Sequence, residues 1–250
     1  MSVQVKSAQR VLDLLEFFAE ERRPASVGVI AQSLGWPQSS TSVLMKCLAE
    51  SGHFDLDAQA GQYAPSVRLA LATAWIQEHQ YSERNLLRLM EQVQAETGHT
   101  VMVANRRDTH VRYLHVLQST REGRFTARSG ALRPLFHSAA GKMLLSTLAQ
   151  REVASLLRKA NAQEVEPGKR RDFADVCQEI TTIRAAGYAL SRGSAMPGAA
   201  ALAVLLPVAQ GREPMTLSLG GPIREIESEF DALLATLRKA VEPIRRMTEA

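Results

Sequence analysis

The chain has 250 residues, of which 45% are apolar and 22% charged, with 30 Lys or Arg against 26 Asp or Glu. That length suits one large domain or two modest ones, and the composition excludes a disordered chain. The longest apolar run, residues 199–209, includes Pro207 and is too short to cross a bilayer, and the amino terminus has no apolar core ahead of a cleavage site; a cytoplasmic protein without a membrane partner is expected.

A first helix is predicted from about Ser7, a candidate cap, to about Glu21, with Val11, Leu14, Leu15 and Phe18 as its apolar stripe. Residues 26–51 then carry two helices across a tight turn. Val27, Ile30, Ala31 and Leu34 recur at helical spacing, Gly35 suits the left-handed conformation that stops a helix, and Pro37 can open the next. In that next helix Val43, Leu44, Cys47 and Leu48 are expected to face inward, and Gln38, Ser39, Ser42 and Lys46 outward. Short hydroxyl and amide side chains on an outward face suit the base edges and phosphates of a major groove. The same spacing also describes a packing corner in an unrelated α-domain. Beyond it, His53 to Leu56 alternates, Asp57 to Gly61 supplies turn residues, and Gln62-Tyr63 leads into Pro65. This predicts a two-stranded hairpin, the wing of a winged helix.

Charge is not concentrated there. Residues 1–78 hold six Lys or Arg against eight Asp or Glu, a net of −2, whereas residues 79–250 hold 24 against 18, a net of +6. A purely electrostatic DNA binder would be more basic in its reading domain. Cationic contacts must therefore be placed locally, at Lys6, Arg10, Arg22, Arg23 and Lys46.

From Ser66 to Gln80 the chain reads as a connecting helix, too apolar for a solvated linker, with Trp75 either a core residue or a dimer contact. Another amphipathic helix covers 82–97. Strands follow at Thr100–Ala104 and Val111–Leu117, divided by a charged turn over Asn105–Asp108, with a third candidate at Arg124–Arg128. The change of pattern places a second domain from about residue 80. Within it, Pro134-Leu135-Phe136 is extended and Ser138 to Lys142 opens a helix whose free amides and dipole favour an anion, a place for a carboxylate. Its small residues equally suit close helix-to-sheet packing. A phosphate-binding P-loop is excluded, since Met143 stands where Ser or Thr is required. Helices at 149–160 and 173–186 flank the polar loop Asn161–Arg171. Strands at Tyr188–Leu190 and Ala201–Leu206 enclose the loop SRGSAMPG, and a strand at Met215–Leu219 precedes a terminal helix, Glu225–Met247, expected to cover the sheet.

Little points to catalysis. His110 and His115 are expected on opposite faces of one strand, and His137 beside Ser138 lacks a GxSxG elbow. Cys47 and Cys177 have no CxxC partner and are expected to be reduced core thiols.

The whole chain resembles the IclR family of bacterial transcription regulators. The segments that carry the resemblance are KSAQRVLDLLEFFAEE, IAQSLGWPQSSTSVLMKCLAESGHF, GQYAPSVRLALATA, LRPLFHSAAGKMLLSTL, IRAAGYALSRGSAMPG and LSLGGPI, in the family's order. The resemblance implies an α+β protein: an N-terminal winged helix-turn-helix over 1–65, a linker helix over 66–80, and a GAF-like α/β effector-binding domain over 81–250. It implies a homodimer or homotetramer that binds double-stranded operator DNA of a catabolic operon, more often as a repressor. The expected ligand is a small organic or aromatic acid, with no cofactor. DNA contacts are expected at Arg22, Gln38, Ser39, Ser40, Ser42 and Lys46. Effector contacts are expected at Gly130, Leu135, His137, Ser138, Gly141, Lys142, Ser194, Met196 and Ala201. Four departures stand out: Val43 where many members carry Arg, Ser194 to Pro197 where many carry acidic residues, a segment from Gly198 to Pro207 longer than usual, and Ala201 near a position where many carry Cys. They lead us to expect altered operator affinity and a roomier or more apolar pocket. The alternative is a ligand-binding scaffold whose winged helix makes protein contacts.

Overall fold

The computed structural model describes residues 5–72, 86–121, 127–208 and 211–248. The chain divides into two compact units, Met1–His79 and Gln80–Ala250.

In the first unit, α1 (Lys6–Glu21) starts after Val5 without a side-chain cap, so Ser7 lies inside the helix rather than before it. A two-residue strand, β1 (Ala25–Ser26), leads into α2 (Val27–Leu34), which Ser26 caps by accepting the Val29 N–H. Gly35 takes the left-handed conformation that ends α2, and α3 (Gln38–Glu50) follows Pro37. The core joins Leu14, Phe17 and Phe18 of α1 to Ile30, Met45, Phe54 and Tyr63, with the Phe18 ring 5.0 Å from Phe17 and 5.4 Å from Phe54.

The inward face of α3 differs from the sequence expectation. Thr41 and Met45 are buried, with Leu48 half-buried one turn on, whereas Val43 is 69% exposed and Cys47 is exposed. Thr41 can be buried because its hydroxyl donates to the Pro37 carbonyl at 3.0 Å, which satisfies the polar group. A face drawn through Val43, Leu44, Cys47 and Leu48 is therefore rotated away from the buried one. Neither cysteine is a fully buried core thiol, since Cys177 is only partly buried.

The hairpin forms as expected, from β2 (Phe54–Asp57) and β3 (Gln62–Pro65). The Asp57 carboxylate accepts the N–H groups of Gln59 and Ala60, and Gly61 supplies the positive φ of the turn. Strand β1, unexpected from residue pattern, pairs with β3 to give a three-stranded sheet in the order β1-β3-β2. Residues 67–72 are helical, and the segment is tied to the end of α3 by Ser66 Oγ donating to the Gly52 carbonyl at 2.7 Å and Arg68 to that of Ser51 at 3.1 Å. The remainder of the expected connecting helix, including Trp75, lies outside the described residues.

The second unit is an antiparallel six-stranded sheet between two layers of helices. Its strands are β4 (Thr100–Arg107), β5 (His110–Leu117), β6 (Leu132–Pro134), β7 (Ala189–Arg192), β8 (Ala199–Leu206) and β9 (Met215–Pro222), in the order β6-β5-β4-β9-β8-β7. The expected turn over Asn105–Asp108 shrinks to Asp108-Thr109, because β4 runs on to Arg107. Most of the candidate strand at 124–128 lies outside the described residues; the strand that pairs with β5 is β6.

Alternation along the strands divides the core. Val101 and Val103 of β4, Leu202 and Val204 of β8 and Leu217 and Leu219 of β9 face α4 (Leu86–Thr97), α8 (Ile223–Ser228) and α9 (Phe230–Thr248). Met102 and Ala104 face the other way, toward α5 (Ala139–Leu145), α6 (Gln150–Gln163) and α7 (Phe173–Ala186). The terminal helix expected as one piece is broken at Glu229, whose carboxylate receives both Arg121 Nη1 and Nη2, at 2.6 and 2.8 Å.

Beside that break lies His99, 1% exposed, with Nε2 3.6 Å from Glu229. Burial, then the Arg121 charge, holds its pKa below the ordinary histidine value. The native state therefore binds a proton less readily than the unfolded chain, and stability is lost as pH falls below about 6.5. Denaturant midpoints measured between pH 7.5 and pH 5 should fall for the wild type and fall less steeply for His99→Gln.

Candidate DNA-reading face and ligand recess

The outward face of α3 carries Gln38, Ser39 and Lys46, all exposed, and Ser42, half-exposed. Ser39 and Ser42 have no hydroxyl partner among the described residues, and Lys46 has no acidic one. Ser40 differs: its hydroxyl already donates to the Pro37 carbonyl at 3.0 Å. Arg22 is exposed at the end of α1, in the left-handed conformation that caps the helix. Of the other cations expected nearby, Arg10 lies 5.0 Å over the Trp36 ring and Arg23 pairs with Glu21 at 2.8 Å. The face is thus a helix of short polar side chains flanked by a hairpin, with one unpaired ammonium. That arrangement can hydrogen-bond base edges and phosphates.

In the second unit the helix opening at Ser138 is partly satisfied from within. Ser138 Oγ accepts the Gly141 N–H at 3.2 Å and donates to the Pro134 carbonyl at 3.0 Å. Lys142 is buried and pairs with Glu179 at 2.7 Å; Arg171 reaches the same carboxylate at 3.0 Å. Burial pushes the Glu179 carboxyl up, but hydrogen bonding and charge from Lys142, joined by Arg171, outweigh it and hold the pKa below its ordinary value. Of the expected contacts at this helix opening, the Gly141 amide and the Lys142 ammonium therefore already have partners within the domain. Gly141 serves close packing, because a Cβ there would lie 2.0 Å from the Leu135 carbonyl oxygen. Glu179→Ala should cost roughly 2 to 3 kcal/mol, less than a fully buried pair because the carboxylate is partly exposed. Lys142→Met combined with Glu179→Leu should recover part of that loss in denaturant titrations.

The sequence-predicted ligand residues do not form one site. Ser138, Met196 and Ala201 line a narrow recess of about 20 Å³ between α5 and strands β5 to β9. Leu135 and His137 line a separate cleft with His110, Asn161, Lys169 and Arg171. There burial, then the Arg171 charge, pushes the His137 imidazole below its ordinary pKa. Gly130 takes a positive φ in a turn and donates its N–H to the Tyr113 carbonyl, and Ser194 Oγ donates to the His137 carbonyl at 2.7 Å.

The recess also holds residues the sequence reading missed. Arg133, Tyr113, Ser191 and Ser218 line it, facing a wall of small side chains from Ala139 to Ala201. The Arg133 guanidinium sits 5.7 Å from the Tyr113 ring centroid and has no acidic partner among the described residues. Burial pushes the Tyr113 phenol up, so it keeps its proton and can donate. Ser218 donates to the Met102 carbonyl at 3.2 Å. Ser138 and Ser218 have given their hydroxyl protons to backbone carbonyls, so the recess can offer a small anion one cation and the Tyr113 and Ser191 hydroxyls, with no carboxylate among its described lining residues. Among the described residues no three His, Cys, Asp or Glu side chains are grouped to hold a metal, and no helix is long and apolar enough to cross a membrane.

The model of the IclR helix-turn-helix domain matches residues 7–53, and that of the bacterial transcriptional regulator IclR C-terminal domain matches residues 83–246. The chain is similar to the transcriptional repressor IclR of Escherichia coli K12, with 26% identity over 95% of this chain and 89% of that one. It is 27% identical to the acetate operon repressor of Salmonella typhimurium, over 90% and 83% of the two chains. Among solved structures, the effector domain of the transcriptional regulator IclR from Acinetobacter sp. ADP1 is 30% identical, with a TM-score of 0.62 over 66% of this chain and 96% of that one. Thermotoga maritima IclR shares the fold over 99% of this chain and all of its own, with a TM-score of 0.64 and 19% identity.

Proposed function

Because the chain belongs to the IclR family of bacterial transcriptional regulators, whose members are not enzymes, we propose that it represses a catabolic operon and releases or tightens on its operator when a small carboxylic acid enters the recess beside Arg133. The DNA-binding module is residues 1–65, joined through 66–80 to a ligand-binding module of residues 81–250. The protein works as a homodimer or homotetramer that presents two or more winged helices.

The observation that carries the ligand half is the guanidinium of Arg133, a half-buried cation without an acidic partner among the described residues, beside the Tyr113 and Ser191 hydroxyls. A carboxylate satisfies that cation through charge-assisted hydrogen bonds. The small residues of the wall favour a short acid over an extended one. Such a ligand shifts operator affinity only through a difference in its affinity for the two arrangements of the winged helices.

For the DNA half, the free hydroxyls of Ser39 and Ser42 contrast with the occupied one of Ser40. Ser39→Ala with Ser42→Ala should weaken specific binding at least about tenfold at fixed salt, from two lost hydrogen bonds in each half-site. Ser40→Ala should stay within about twofold, since its hydroxyl is spent on the helix. Fluorescence anisotropy on a defined duplex decides this; equal losses in both variants would remove the assignment.

A further inference from the structure

We propose that Val43 reads a thymine methyl group in the major groove and so sets part of the operator sequence. The inference rests on the DNA-binding reading above.

Val43 is 69% exposed on α3. Ser39 lies one turn before it, Lys46 and Cys47 one turn after, and Ser42 beside it, all on the outward side away from Thr41 and Met45. A β-branched residue in the middle of an exposed helix contributes little to the free domain: it buries almost nothing there, and it lowers helix propensity relative to Ala or Lys. What sets it apart from other exposed apolar side chains is its place at the centre of the face that would enter the groove.

A face laid in the major groove meets donors, acceptors and one apolar group, the C5 methyl of thymine. Val43 has no polar atom with which to meet the others. Its short neighbours make the contact reachable, because Ser39 and Ser42 end one atom beyond Cβ and let the helix seat as close to the groove floor as the valine methyls require. The longer Lys46 is free to reach a phosphate. Val29 and Leu56, 43% and 47% exposed, lie on α2 and the hairpin rather than on this face.

The test begins with the full-length protein and a random duplex library, from which preferred sequences are selected. In the preferred duplex each thymine is then replaced by uracil, which removes only the methyl group. One position in each half-site should lose about fourfold in affinity, the worth of one buried methyl. Val43→Ala, which alters both subunits, should bind the thymine duplex as weakly as the wild type binds a duplex with uracil at that position in both half-sites, and lose nothing further on that duplex. Val43→Thr, which keeps one methyl and the branch, should retain the sensitivity. Wild-type indifference to every uracil, or an equal uracil penalty in Val43→Ala, would overturn the role of Val43 while leaving DNA binding intact. Selection that enriches no sequence would overturn the DNA-binding reading and this inference with it.

Discussion

Gly141→Ala is expected to be the most damaging small substitution in the ligand-binding module. A Cβ at this position would lie 2.0 Å from the Leu135 carbonyl oxygen, 2.7 Å from its carbon and 2.8 Å from the Leu135 Cα. All three are backbone atoms, so no rotamer change relieves the overlap. Nor is the segment free to retreat: the Leu135 N–H donates to the Thr109 carbonyl, Arg171 holds the Phe136 carbonyl, and the Leu135 side chain is fully buried. Either α5 moves off the sheet or this stretch loses its hydrogen bonds. Ordinary overpacking costs about 1 to 3 kcal/mol; with only backbone to yield, the loss here should exceed ~4 kcal/mol. A thermal scan should show the midpoint lowered by roughly 10 °C or the domain unfolded. A midpoint within about 2 °C of wild type would show that the close approach of α5 to Leu135 is not held as described.

The largest expected effect on ligand response is at Arg133. If the recess takes a carboxylate, replacing the guanidinium removes charge-assisted hydrogen bonds worth about 1.5 to 3 kcal/mol, or roughly 10- to 100-fold in affinity. Arg133→Gln keeps much of the side-chain volume and removes the charge, so the loss reads out electrostatics rather than packing. Arg133→Lys should recover part of the binding as a point charge but lose the forked geometry. Isothermal titration with the acid that alters operator binding measures both. Unchanged affinity in Arg133→Gln would move the ligand elsewhere, with the cleft beside His137 the next place to look.

How far the sequence foretold this depends on whether the signal was local. The stop at Gly35, the start after Pro37 and the hairpin turn ending at Gly61 were legible because each depends on one or two residues with restricted or unusual backbone freedom. The orientation of α3 was not, because a hydroxyl that bonds within its own helix is buried like an apolar group, as Thr41 is. Strand β1, two residues long, exists only through its pairing with β3 and leaves no periodicity.

The recess shows the same limit more strongly. Gly141 and Lys142 looked like ligand contacts because they open a helix; only the fold supplies Glu179 and the Leu135 carbonyl as their neighbours. Arg133, Tyr113, Ser191 and Ser218 come from β6, β5, β7 and β9, strands separated by up to about a hundred residues in the chain and gathered by the sheet order and by α5. One clue was available. Thr216 and Ser218 are polar residues inside an otherwise apolar buried strand, and such residues need partners.

The central claim is that one module reads DNA and the other alters that reading when an acid binds. The most direct measurement is an anisotropy titration of the full-length protein on the intergenic DNA upstream of its own gene, at several salt concentrations, repeated with a panel of short-chain and aromatic carboxylic acids. The account predicts sequence-specific binding that weakens steeply with salt as phosphate counterions are released, and that one acid in the panel shifts. Absence of specific binding even at low salt would contradict it, and would make the winged helix, with its net charge of −2 over residues 1–78, a protein-contact module.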